Sequence, residues 1–247
     1  MKTTLITHIF NEEYLLPFWL EHHKPMFDDL FVIDYRSTDK SRDICQSIWP
    51  GCKIITTRNA YFDCIQIDRE VMDIENSIDG IKMVLNTTEF LFSDTPIKNL
   101  FVEKHAYKVK ITTPYSEKNY EIKTTHELIK NLLNEDINCI FDRAHRVLHN
   151  YSNGKYAVGR HGSYHPSSEL TNVHLVWLGF YPMNEKLLAR KLQIQQNIPQ
   201  HDKDNKAGFQ HLFSRDQILS IAKENANKGI PLKNLNSHLY HLIKLSP

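Results

Sequence analysis

The sequence predicts an α/β fold in which a mostly parallel central sheet carries helices on both faces and an irregular second half follows. Three observations predict it. Strand-like and helix-like segments alternate through the first half of the chain. The strand-like segments are β-branched and apolar along their length, as strands covered on both faces are. Each is followed by polar residues at Asn11, at Asp34 or at Asn86–Glu89, and in open parallel sheets ligands bind outside the strands' carboxyl ends.

The elements follow in order. Thr3–Phe10 reads as a buried strand. Glu13–His23 reads as a helix whose broad apolar face is built from Leu15, Leu16, Phe18, Trp19 and Leu20. Leu30–Tyr35 is a second buried strand, and Ser37–Ser47 restarts as a helix with Thr38 or Ser41 as its N-cap. Lys53–Thr57 is a third strand. Asp63–Ile78 places Ile67, Val71, Ile74 and Ile78 on one helical stripe. Lys82–Asn86 is a fourth strand that ends in the turn Thr87-Thr88-Glu89. In the second half, Ala106–Thr112 and Asn119–Lys123 read as an antiparallel pair, and Thr125 caps a helix running to Leu133. Cys139–Phe141, Lys155–Val158 and Thr171–Val176 are short strands, and Lys186–Gln196, Asp216–Asn227 and Leu232–Lys244 are helices. With no internal repeat and no low-complexity linker, residues 1–247 are expected to form one domain.

Composition narrows the function. The 30 Lys+Arg and 29 Asp+Glu leave a net charge of +1, whereas a nucleic-acid binder needs a basic excess to meet the phosphate backbone. Glycine is scarce, at 8 of 247 residues, or about 3% against a usual value of roughly 7%. Neither GxGxxG nor GxxxxGK[ST] occurs, so a glycine-rich phosphate cradle is excluded. Cys45, Cys52, Cys64 and Cys139 make no CxxC pair, which argues against a zinc ribbon. No apolar run approaches the roughly 20 residues of a membrane span. A cytoplasmic setting with free thiols is therefore expected.

Several stretches carry a resemblance. They are Asn11-Glu12 after the first strand, Leu15-Leu16-Pro17-Phe18-Trp19-Leu20-Glu21-His22-His23, and the run from Phe31 through Asp34, Ser37, Asp39 and Ser41 to Ile44. Together they resemble family-2-like glycosyltransferases of the GT-A fold. Asn86-Thr87-Thr88-Glu89-Phe90-Leu91 sits where that family carries Asp-x-Asp-Glu-Phe-Leu. The resemblance covers residues 4–92 and continues weakly through Tyr156–His161, Arg190-Lys191 and Gln210-His211.

The resemblance implies a GT-A (nucleotide-diphospho-sugar transferase) fold. Residues 1–95 would form a nucleotide-sugar-binding half and residues 96–247 an acceptor-side half. It implies an inverting transfer from a UDP- or GDP-sugar to a hydroxyl on a glycan, a lipid-linked saccharide or a glycoprotein. Asp34 would contact the nucleotide base, and Asn11, Glu12 and Ser37 would line its pocket. Asp68, on the helix that runs beneath the donor sugar in the family, would bind a sugar hydroxyl. A divalent cation, Mn²⁺ or Mg²⁺, would sit on the diphosphate.

At the cation motif this chain departs from the family. Asn86 and Thr88 replace the two aspartates and only Glu89 keeps its acid. One carboxylate with two neutral oxygens makes a weaker cation site. Glu89 could be joined by a distant histidine, with His174 the first candidate and His211 the second. Arg, Lys or His clamps could replace the metal altogether, or activity could have been lost. Arg143, His145, Arg146 and His149, with Arg160, His161, Arg190 and Lys191, are the cations available to a diphosphate. An inverting transfer needs a general base, for which Asp142 and Asp202 or Asp204 are the candidates, Asp202 being preferred and lying in a polar segment that reads as a lid running to His211. Two other classes stay in view: a non-catalytic nucleotide- or carbohydrate-binding protein, and a nucleotidyltransferase. The second would want a basic, glycine-rich loop where Asn11-Glu12-Glu13 stands. Peripheral contact with a membrane surface is left open.

Overall fold

The computed structural model describes residues 1–205, 208 and 211–246, and the backbone alone of Arg143. Gln210 therefore lies outside the described residues, as does the Arg143 side chain.

Strands run over Thr3–Ile9 (β1), Asp29–Asp34 (β2), Lys53–Thr56 (β3), Ile81–Val84 (β4), Glu89–Ser93 (β5), Ala106–Tyr115 (β6), Asn138–His149 (β7), Ser167–Trp177 (β8) and Ile230–Pro231 (β9). Helices run over Leu16–His23 (α1), Ser41–Ile48 (α2), Cys64–Glu75 (α3), Thr125–Lys130 (α4), Glu185–Gln193 (α5), Gln200–Asp204 (α6), Arg215–Lys228 (α7), Leu232–Leu235 (α8) and Ser237–Leu245 (α9). Among the described residues the strands form one nine-stranded sheet in the order β3-β2-β1-β4-β7-β6-β8-β5, with β9 beside β7. β3, β2, β1 and β4 are mutually parallel. The rest is mixed: β7 is antiparallel to both β4 and β6, β8 is parallel to β6, and β5 returns antiparallel to β8.

The mixed α/β architecture expected from the alternating pattern is present. On β1, Leu5 and Ile9 pack into one core with Trp19, Leu20 and Cys45, and Ile6 packs into the opposite core with Ile67 and Val71. Alternating side chains of a single strand thus meet α1 and α2 on one face and α3 on the other, which is why the strand reads as apolar throughout. Register brings the carboxyl ends level: Ile9 is opposite Asp34, and Asp34 is opposite Thr56. No helix among the described residues is long and apolar enough to cross a membrane.

Where the structure departs from the sequence reading, non-local contacts decide. Asn119–Lys123 is not a strand, because β6 pairs with β7 and Tyr120 turns its hydroxyl onto Asp136 at 2.6 Å. Cys139–Phe141 is the start of a twelve-residue strand. Lys155–Val158 is not a strand either: Tyr156 makes a lone bridge to Ser163, and a 3₁₀ turn spans Val158–Arg160. Glu89 belongs to β5 rather than to a turn. The helix expected over Leu232–Lys244 breaks at Asn236, whose side chain accepts from Leu239 N and caps α9. Thr124, not Thr125, caps α4, in a reciprocal pair with Glu127.

Candidate functional site

The loops after β1 and β2 are sewn together. Asn11 has φ 52°, a left-handed conformation that asparagine tolerates better than most residues. Its Oδ1 accepts from Thr38 N at 2.8 Å, and its own N–H donates to Ser37 Oγ at 3.0 Å. Asp34 is buried, with Oδ1 accepting from Ser37 N at 2.9 Å and Oδ2 paired with Arg42 at 2.6 Å. Glu12 N donates to Ser41 Oγ at 2.8 Å. Asn11, Asp34 and Ser37 are therefore brought together, and both Asp34 oxygens are engaged by the chain itself.

Beside them, among the described residues, three arginines converge on Asn86–Glu89. Arg146, on β7, donates Nε to both Glu89 oxygens at 3.0 Å and Nη2 to Oε1 at 2.6 Å. Arg160 pairs with Asp68 and reaches Asn86 Oδ1 at 3.4 Å. Arg190, on α5, binds Glu12 at 2.5 and 2.7 Å and Thr87 Oγ1 at 3.3 Å. Thr88 is held from β8 by Trp177, whose indole N–H donates to its hydroxyl at 3.1 Å. Arg146 and Arg160 are buried and Arg190 partly so; buried guanidiniums need acids close by, and each of these has one.

Backbone geometry aims Arg160. Gly159 has φ 75° and Arg160 φ 57°. The Gly159 N–H donates to Asp68 Oδ2 at 2.7 Å, and its carbonyl accepts from Arg146 at 2.8 Å. A Cβ on Gly159 would lie 2.9 Å from the His161 ring. His161 Nδ1 is itself 3.0 Å from Arg146 Nη1.

His8, on β1, faces the same space, and the sequence reading passed over it. Its signal was an ionisable residue inside an otherwise β-branched strand just upstream of Asn11. Burial, then Arg160, Arg146, Arg190 and His211 in that order, push its pKa well below the usual histidine value. Three of these are guanidiniums, which disfavour a further positive charge on this ring. Nδ1 of His8 and Nε of Arg160 are buried without a hydrogen-bond partner among the described residues. Lys191 lies over the rings of Phe180 and Trp177, 4.2 and 5.6 Å from their centroids. Burial and then Arg190 lower its pKa to about 7. His211 falls to about 4 through burial, then Lys191 and Arg190.

The remaining expected residues scatter. His174 bonds His238 at 2.8 Å and Asn236 at 3.2 Å. It lies three register positions along β5 from Glu89, opposite Phe92. Glu89, His174 and His211 are not gathered: among the described residues, the group of three or more ligand-type side chains lying within 4.8 Å of one another is Asp63, His201 and Asp202. Asp202 is buried, and its Oδ2 accepts from Cys64 N at 3.1 Å. Asp142 sits where the β6–β7 register slips between Lys110 and Thr112, a bulge that re-aims side chains. Its charge reaches Arg146 and His161. A cleft of about 500 Å³ at the strands' amino ends, lined by Thr3, Asp28 and Ser93–Lys98, lies away from this cluster.

A divalent cation does not fit at residues 86–89. Asn86 and Thr88 are neutral. The Glu89 oxygens accept from Arg146 and also from Asn86, by its N–H at 2.9 Å and its amide at 3.1 Å. A cation would have to displace a buried guanidinium.

No family model and no curated protein matches the chain. Solved structures of glucosyl-3-phosphoglycerate synthase from Mycobacterium tuberculosis are similar in part. One, in complex with Mn²⁺, UDP and glucosyl-3-phosphoglycerate, is 15% identical with a TM-score of 0.33 and covers 44% of each chain. One with Mn²⁺ and UDP-glucose is 14% identical, with a TM-score of 0.33, over 44% of this chain and 43% of that one. A mycobacterial protein is 14% identical with a TM-score of 0.34, over 45% of this chain and 41% of its own. Each alignment spans less than half of either protein and says nothing about the roles of residues here.

Proposed function

We propose that this protein is a glycosyltransferase that moves a sugar from a nucleotide sugar to a hydroxyl acceptor by single displacement with inversion. The observation that supports it best is the meeting, at the carboxyl ends of parallel strands, of the Asn11–Asp34–Ser37 loop and a cationic cluster at Asn86–Glu89. The first offers the polar surface a nucleoside requires, and the second offers charge for a diphosphate.

In the reaction, the acceptor oxygen forms a bond to the anomeric carbon as the bond from that carbon to the diphosphate oxygen breaks. The electron pair leaves with the nucleoside diphosphate, and the acceptor proton passes to a carboxylate. Asp142 and Asp202 are the proposed bases, Asp142 being the one whose charge is felt at Arg146 and His161. The acceptor would be a glycan, a lipid-linked saccharide or a glycoprotein.

A second reading, a non-catalytic nucleotide- or carbohydrate-binding protein, draws on the same network, since Asp34, Glu12 and Glu89 all spend their oxygens on protein partners. A panel of UDP- and GDP-sugars assayed for slow hydrolysis separates the two. Release of free sugar from one donor supports the transferase; thermal stabilisation by a donor with no hydrolysis supports the binder.

A further inference from the structure

We infer that the guanidiniums of Arg146, Arg160 and Arg190 take the donor's diphosphate in place of a divalent cation, so that nucleotide binding needs no metal. This deepens the nucleotide-sugar reading above and rests on it.

Four observations converge. First, the segment that would hold a cation has one acid, and both of its oxygens are already bound to Arg146 and Asn86. Second, each guanidinium reaches a different residue of that segment: Arg160 to Asn86, Arg190 to Thr87 and Arg146 to Glu89. The charge is thus delivered to the motif from outside it, on side chains that present planar sets of N–H donors suited to phosphate oxygens. Third, donor capacity is left over. Arg160 is 5% exposed, and its Nε has no partner among the described residues. Fourth, the three guanidiniums lie close enough to disfavour a positive charge on His8, and a guanidinium fork suits a phosphate oxygen rather than a cation.

The acids explain how the cluster survives without ligand. Glu12, Asp68 and Glu89 neutralise the guanidiniums one for one. A phosphate oxygen binds through N–H groups that the carboxylates leave unused, and the ion pairs hold the guanidiniums in place.

The test is calorimetric titration of UDP and of GDP into the full chain, in excess EDTA and in excess Mn²⁺. The inference expects one of the two to bind with affinities that agree within about twofold in both conditions. Tightening by Mn²⁺ of about tenfold or more overturns the inference and leaves the nucleotide-sugar reading standing. That result would include a cation held at Asp63, His201 and Asp202. Absence of binding in both conditions overturns the nucleotide-sugar reading and this inference with it. Because Arg160→Gln alone strands a buried Asp68, the companion variant is Asp68→Asn/Arg160→Gln, which removes both charges. Folded by circular dichroism, it should bind the diphosphate about tenfold more weakly in EDTA. Wild-type affinity in that variant overturns the inference.

Discussion

Glu89 is buried, and both of its carboxylate oxygens accept from Arg146 Nε at 3.0 Å. Read along the chain, it is the surviving acid of a cation motif; in the fold it is the counter-ion of Arg146, a residue 57 positions away. Glu89→Gln should therefore cost stability, on the order of 3–5 kcal/mol, because it leaves a buried guanidinium unpaired. Urea unfolding measures this. Unchanged stability together with lost Mn²⁺ affinity would return Glu89 to the metal role. Lys191 gives a second prediction. Its ordinary pKa of 10.5 falls to about 7 in the fold. Between those values the unfolded chain binds more protons than the folded one, so stability rises with pH across that window. Lys191→Met should raise the melting temperature near pH 7 and flatten this slope; a wild-type slope in the variant would sink the assignment. At this scale the sequence marked Asp34, Asn11 and Arg160 by residue type and position after an expected strand, and Asp68 only through the family resemblance. It could not mark their partners, because pairing depends on loops that arrive from far along the chain.

The clearest element is α3. Its apolar stripe is legible, yet three of its acids are buried as well. Asp68 holds the Gly159–Arg160 turn. Glu70 accepts from Thr57 Oγ1 at 2.6 Å and Arg58 N at 2.9 Å. Glu75 accepts from Gly154 N at 2.7 Å and Tyr156 Oη at 2.6 Å and meets His149 at 3.0 Å. On a lone amphipathic helix such charges read as the wet face, and only Asp73, paired with Arg58 at the surface, behaves so. The helix serves as a rail onto which loops from both halves are hydrogen-bonded. Gly159 is the tightest point on it. Gly159→Ala should destabilise by about 1–2 kcal/mol through its left-handed backbone alone. It should also push His161 away from Arg146, so nucleotide affinity should fall more than stability does. Paired calorimetry and thermal melts check this, and equal affinity would show that the turn does not position the cluster.

At the scale of the whole molecule, the parallel half of the sheet was legible because its strands, helices and loops succeed one another locally. The mixed half was not. β6, β7 and β8 find partners far off in sequence, and the polar side chains of Arg146, His145 and His149 interrupt the apolar alternation that would have marked β7 as one strand. The same burial makes the protein acid-sensitive. His22, His161, His174 and His211 are all lowered to about 4, with burial the leading cause. His8 and His23 are lowered well below the usual value, again by burial first. Their ordinary value is 6.5, so as pH falls below it the unfolded chain takes up protons that the folded chain does not, and stability is lost down to about pH 4. Thermal melts across that range should show a steady fall, and a flat profile would mean these rings are not held neutral.

The three ion pairs have a direction. Each acid, Glu12, Asp68 and Glu89, comes from the first 95 residues, and each arginine, Arg146, Arg160 and Arg190, from the remainder. During synthesis the leading residues thus leave the ribosome with three carboxylates destined for the interior before the arginines that pair with them are made. A chain cut short of Arg146 carries these acids without their partners, and burying each one uncompensated would cost several kcal/mol.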